Sequence, residues 1–140
     1  MPPLLSELVV GKRGLILMVG ATGTGKSTTL ASMIEWRNQQ MTGHILTIED
    51  PIEFLFTNKK SIVNQREVGR DTQSLQTALK NALRQAPDCI LIGEIRDRET
   101  MTSAISYAPV SYTHLRAHET VLDLVCRLLL EKKKLQAIYT

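Results

Sequence analysis

One eight-residue string constrains this chain more than any other feature: G-A-T-G-T-G-K-S at residues 20–27. It fits G-x-x-x-x-G-K-[ST] without a mismatch. Gly20, Gly23 and Gly25 let the backbone curl until successive N–H groups face one concavity, which collects anionic oxygens. Residues 14–20 (G-L-I-L-M-V-G) form an apolar run ahead of it and read as a buried parallel strand. Residues 27–40 read as a helix, with Leu30, Met33, Ile34 and Arg37 at helical spacing. The N-terminus of that helix adds its positive dipole end to the loop. Lys26 supplies a point charge for β- and γ-phosphates, and the Ser27 hydroxyl a ligand for Mg²⁺. Ala21, Thr22, Thr24 and Thr28 complete the candidate nucleotide-binding set. Chance writes such a string in roughly one chain in two hundred of this length, so a merely structural glycine turn is the weaker reading.

The remaining pattern extends the strand–helix alternation. Residues 44–47 (H-I-L-T) read as a second strand, with Gly43 as the expected C-cap of the helix before it. Residues 61–65 (S-I-V-N-Q) read as a weaker strand. Asp71 or Thr72 is expected to cap a helix whose apolar face is Leu75, Ala78, Leu79, Ala82, Leu83 and Ala86, stopped by Pro87. Residues 89–93 (C-I-L-I-G) read as a buried strand and residues 98–107 as a short helix. The expected fold class is α/β with a parallel sheet.

Composition narrows the partners. The chain has 140 residues and a formal net charge of +3. Residues 1–108 hold 12 Lys/Arg against 11 Asp/Glu, so the basic excess belongs mostly to the end, at Lys132, Lys133 and Lys134. A nucleic-acid face is therefore disfavoured, and aromatic residues at 4% give no stacking platform. The apolar run at residues 15–19 is far short of the ~20 residues a membrane helix needs. Cys89 and Cys126 lie too far apart in sequence to suggest a disulfide framework or zinc site, and a reducing compartment is expected.

An NTPase also needs carboxylates on the metal side and beside the attacking water. Glu94 follows an apolar strand, and parallel strands deliver functional side chains at their carboxyl ends. Glu49, Asp50 and Glu53 crowd into five residues, which demands solvent or a facing cation. Asp88 reads as a structural cap. Arg66, Arg70, Arg84 and Arg96 are open between phosphate or subunit contacts and surface ion pairs.

Four separated motifs then follow the loop in order: T-I-E-D-P-I-E at 47–53, Q-R-E-V-G at 65–69, A-L-K-N-A-L-R-Q-A at 78–86 and P-D-C-I-L-I-G-E-I-R-D at 87–97. Over roughly residues 2–108 the chain resembles the twitching-motility (retraction) ATPases of type IV pili, the PilT/PilU family within the secretion ATPase superfamily. The L-R-Q-A-P-D wording at 83–88 is nearer to the PilU branch. The resemblance implies a P-loop NTPase with a RecA-like core, here incomplete. It implies a homo-hexamer with ATP and Mg²⁺ between subunits, cytoplasmic and peripheral to the inner membrane through a pilus platform protein. By motif it implies Lys26 and Ser27 on phosphate and Mg²⁺, Glu53 as the water-activating carboxylate, and Glu94 as an atypical Walker B glutamate on the Mg²⁺ side.

The chain also departs from that family. The family carries a PAS-like domain ahead of this stretch, which lends arginines to a neighbouring site. After residue 108 the family continues E-T-G-H-L towards its His box, whereas this chain reads P-V-S-Y-T, and His114 and His118 inherit no role. Residues 109–140 read as a non-family tail, similar to translated sequencing-adaptor read-through. Val121, Leu124, Val125, Leu128 and Leu129 nonetheless have helical spacing. Three functions stay open: a retraction ATPase present as a fragment, a nucleotide-binding or inert fragment without turnover, and a type II secretion or pilus-assembly ATPase.

Overall fold

Strand β1 (Gly14–Val19) delivers the chain into the glycine loop, and helix α2 (Lys26–Gln40) carries it away, in a computed structural model that describes residues 2–11, 14–107, 126–131 and 135–139. Helix α1 (Pro3–Val10) precedes them. Strands β2 (Gly43–Glu49) and β3 (Ser61–Glu67) follow, then α3 (Leu75–Gln85), β4 (Cys89–Ile95), α4 (Arg98–Tyr107), β5 (Cys126–Glu131) and β6 (Leu135–Tyr139). The six strands form one sheet in the order β3-β2-β4-β5-β1-β6.

The α/β class holds, with one difference from an all-parallel sheet. β2 pairs in parallel with β3 and β4, and β1 with β6, but β5 runs antiparallel between β1 and β4. The helical spacing noted in the tail is not realised over Cys126–Glu131. The run Leu128-Leu129-Leu130 has no polar positions to face solvent from a helix, and it pairs with strands on both sides instead. His114 and His118 lie outside the described residues.

Period-two alternation sorts the core onto two faces. On one face Ile16, Met18, Ile45, Cys89 and Leu91 pack with Leu30, Met33 and Ile34 of α2 and Val9 of α1. On the other, Leu46, Ile48, Ile90 and Ile92 pack with Ala78, Leu79 and Ala82 of α3 and Ala104 of α4. This alternation later decides which carboxylate faces the glycine loop.

Several boundaries differ from the sequence reading. Helix α1 was not foreseen; Pro3 at its first turn was its signal. Arg37, on the apolar face of α2, is buried and donates to Val9 O at 2.6 Å and Gly11 O at 3.4 Å. A guanidinium so placed satisfies α1's terminal carbonyls and suits the negative end of its dipole. Gly43 does not cap α2, which ends on extended Met41; it opens β2 with φ 151°. Asp88 explains it. The Asp88 carboxylate accepts from His44 N at 2.8 Å, and a Cβ on Gly43 would lie 2.6 Å from Asp88 Oδ2. Ser74, not Asp71 or Thr72, caps α3, accepting from Thr77 N at 3.1 Å. Asp71 instead accepts from Glu67 N in the preceding turn.

Two predictions follow from this packing. Gly43→Ala combines an unfavourable φ with a clash against Asp88 and is expected to cost ~1–3 kcal/mol, read from the urea midpoint. Burial pushes the Cys89 thiol from its ordinary 9.0 up to about 11. Its folded pKa is raised, so its stabilising contribution is full below pH 9.0 and is lost as pH rises through about 11. Unfolding midpoints measured across that window are expected to fall less steeply in Cys89→Ala than in the parent chain.

Candidate nucleotide site

The loop takes the shape its glycines allow. Gly23 and Gly25 both sit at φ 83°, with nothing within 4 Å of a built Cβ, so the backbone angle and not space requires glycine. Gly25 is the N-cap of α2 and has no side chain with which to satisfy the helix's first amides. The amides of Lys26, Ser27 and Thr28 donate to no acceptor among the described residues. A row of unmade donors at the N-terminus of a 15-residue helix is an anion site by construction.

Lys26 sharpens the point. It is only 5% exposed. Its Nζ donates to Gly20 O at 2.6 Å and also to Ala21 O. Among the described residues its partners are loop carbonyls and the Thr24 hydroxyl, with no carboxylate in reach. A desolvated ammonium held by neutral oxygens alone is costly until an anion arrives. Thr24 Oγ1 closes the turn on Ala21 O at 2.8 Å.

Below the loop, Ser27, Glu49, Glu53 and Gly93 line one cavity of about 10 Å³, roofed by Leu30, Phe54 and Phe56. That is room for about one water-sized occupant. The Ser27 hydroxyl makes no hydrogen bond among the described residues. An unengaged hydroxyl beside carboxylates suits a hard, oxygen-seeking cation such as Mg²⁺. No group of three or more His, Cys, Asp or Glu among the described residues is placed to hold a metal, and Mg²⁺ ordinarily completes its shell with waters and phosphate oxygens.

Glu53 sits on a segment pinned from β3. Gln65 donates through Nε2 to Phe54 O at 2.7 Å and accepts through Oε1 from Phe56 N at 2.9 Å. Glu67 accepts from Ile52 N at 3.0 Å. Neither Gln65 nor Glu67 was singled out as a site residue. Their signal was strand alternation: positions 65 and 67 share one face of β3 and point back at the loop.

Glu94 is not among the residues lining the Ser27 cavity. It lines a neighbouring cavity of about 150 Å³ on the α3–α4 side, with Ile48, Glu49, Asp50, Asp97 and Thr100. The register of β4 shifts between Ile92 and Ile95. Arg96 pairs with Glu94 at 2.8 Å and is otherwise exposed, a solvent-screened surface ion pair. Asp97 caps α4. Its carboxylate accepts from Thr100 N and Thr100 Oγ1, both at 2.7 Å, and the backbone bond foremost holds its pKa below the usual carboxylate range. Glu49 touches both cavities.

The sequence profile described as "Type II/IV secretion system protein" matches residues 3–119. The chain belongs to that family. It is 57% identical over 112 residues to the type IV pilus ATPase PilU of Pseudomonas aeruginosa strain PAO1, covering 80% of this chain and 29% of PilU. All of the chain superposes on 35% of the crystallised pilus retraction motor PilT with bound ADP, at TM-score 0.74 and 47% identity. It superposes likewise on 34% of the Legionella pneumophila ATPase DotB, at TM-score 0.70 and 29% identity. The chain thus spans about a third of these relatives. No helix among the described residues is long and apolar enough to cross a membrane.

The loop after β2 is anchored to β3 through Gln65. Gln65→Ala is expected to speed hydrogen exchange at the Phe56 amide by about tenfold, the worth of one hydrogen bond. Amides at Leu46 and Ile48, in the sheet interior, should be unchanged.

Proposed function

We propose that this chain is the nucleotide-binding stretch of a pilus retraction motor whose full-length form hydrolyses ATP to ADP and phosphate. The observation that carries the reading is Lys26: a buried ammonium with no carboxylate partner among the described residues, set in a glycine-turned loop of unmade amides. Triphosphate oxygens supply both the missing charge and the missing acceptors. The bound ADP of the retraction motor PilT supports the same ligand class.

Each residue then has a part. Gly20, Ala21, Thr22, Gly23, Thr24, Gly25 and Thr28 shape the cradle and present its amides. Lys26 exchanges loop carbonyls for β- and γ-phosphate oxygens, and its ammonium balances charge as the terminal phosphoryl group departs. Ser27 would offer its hydroxyl on the Mg²⁺ side, and Glu94 would act towards it from the adjoining cavity, which shares Glu49 with the Ser27 cavity. Bound Mg²⁺ supplies neutralisation of phosphate charge. Glu53 accepts a hydrogen bond from the attacking water and orients it in line with the phosphorus. The intact protein works as a homo-hexamer, cytoplasmic and peripheral to the inner membrane, against a platform protein and without nucleic acid.

A second reading concerns the 140 residues alone, and their span of about a third of the relatives favours it: nucleotide binding without turnover. Residues 109–140 are proposed as a non-family tail. The antiparallel β5, lying in an otherwise parallel sheet, supports a foreign origin for Cys126–Glu131, whereas the family match itself runs on to residue 119. Genomic DNA through codons 105–140 that encodes this tail in an isolate overturns it.

Two outcomes are expected. A fluorescent ADP analogue with Mg²⁺ binds the chain saturably, and Lys26→Ala weakens binding about tenfold to a hundredfold by losing charge-assisted bonds. An unaltered titration in Lys26→Ala removes the nucleotide reading. In a full-length enzyme carrying this segment, Glu53→Ala lowers phosphate release by about 10²–10⁴-fold with nucleotide affinity retained.

A further inference from the structure

Residues 51–60 hold neither helix nor strand, and Glu53, Phe54 and Leu55 are exposed, Leu55 at 87%. Burial therefore does little to fix this stretch, and directed bonds must do so if Glu53 is to keep one position. Those bonds fall on the two residues that flank Glu53. Ile52 N donates to Glu67 Oε2 at 3.0 Å, and Phe54 O accepts from Gln65 Nε2 at 2.7 Å. The two partners stand two residues apart on one face of β3, so the segment is laid back along that strand.

The Gln65 carboxamide acts here as a peptide group. Nε2 donates to Phe54 O while Oε1 accepts from Phe56 N at 2.9 Å. One planar group thus pairs with residues on both sides of Leu55, as a backbone residue of a neighbouring parallel strand would. Reversed, the amide would set a donor against the Phe56 N–H and an acceptor against Phe54 O. Nε2 also approaches Glu49 Oε1 at 3.3 Å. Further along, buried Asn38 of α2 takes over. Its Nδ2 donates to Thr57 O at 2.8 Å, and its Oδ1 accepts from Lys59 N at 3.1 Å. Asn38 therefore bears the far end of the segment, and Gln65 and Glu67 bear the part that carries Glu53.

We propose that Gln65 and Glu67 are positioning residues for the reaction: they set the backbone on either side of Glu53, and so where its carboxylate meets the attacking water. Both act through Glu53. The proposal rests on the reading of Glu53 above. A misplacement of about 1 Å costs on the order of 10²-fold in rate. That loss belongs to kcat and not to KM, because the nucleotide cradle lies on other elements.

The test uses a full-length enzyme carrying this segment, with phosphate release measured against ATP concentration. Gln65→Ala is expected to lower kcat about tenfold to a hundredfold and to leave KM for ATP within about twofold. Added to Glu53→Ala, it is expected to cost no more than about twofold further, because a group already absent cannot be misplaced. Gln65→Glu guards against misfolding. Its carboxylate opposes Phe54 O and the charge of Glu49, with Glu67 on the same strand face and Glu53 on the bound segment. Its protonated form regains one donor and one acceptor. Its kcat relative to the parent is therefore expected to rise at least about threefold from about pH 8 to about pH 6, while the Gln65→Ala ratio stays flat. A Gln65→Ala kcat within about twofold of the parent, or the full loss repeated on the Glu53→Ala background, overturns the positioning role while the reading of Glu53 stands. A flat Gln65→Glu ratio overturns it likewise. Near-parental turnover in Glu53→Ala overturns both.

Discussion

A lysine ammonium that has left water without meeting an acid is the constraint on which the rest of the structure turns. Lys26 is held by the carbonyls of Gly20 and Ala21. Those oxygens are available only because Gly23 and Gly25 take positive φ and turn the loop back on itself. The same turn aims the first amides of α2 outward, unmade. Cation and amides together form a site of one sign, and no acid among the described residues quenches it from within the loop. The carboxylates of Glu49 and Glu53 stand apart from it, lining the Ser27 cavity.

Sheet alternation performs the sorting. β2 and β4 are neighbours in register, Ile45 opposite Cys89 and Thr47 opposite Leu91. Side chains of one parity pack against α2, and those of the other against α3 and α4. Acidic groups at the carboxyl ends of these strands therefore separate by a single residue step onto opposite faces. Glu49 takes the α2 side, and Glu94 takes the α3–α4 side, after the register shift of β4. Two acids that look equivalent as strand-end residues are thereby given different neighbours: a serine hydroxyl for one, an exposed arginine for the other.

Much of this was legible in the sequence, because its strongest signals are local. The glycine spacing, the apolar runs of β1 and β4 and the face of α3 each reflect a constraint within about ten residues. What was illegible is set by partners distant in sequence. Gly43 looked like a helix stop; its φ is explained by Asp88, at the start of another strand. Arg37 sat at an apolar spacing, and its bonds to the Val9 and Gly11 carbonyls, distant in sequence, accompany its burial. Gln65 was an ordinary strand residue until the segment from Phe54 to Phe56 was seen to hang from its amide. The tail was the reverse case: a helical period was present locally, and pairing with β1 and β4 overrode it.

Those distant contacts join the site to the body of the fold in two directions. From β3, Gln65 and Glu67 hold the segment bearing Glu53, and Gln65 also reaches Glu49. One amide thus contacts both the backbone beside Glu53 and the buried carboxylate of Glu49. From α1, the Arg37 guanidinium grips the carbonyls of Val9 and Gly11, and Arg37 rides on the helix whose first turn is the phosphate cradle. The two ends of α2 are thereby tied to different partners, its last turns to α1 through Arg37 and its first turn to the glycine loop.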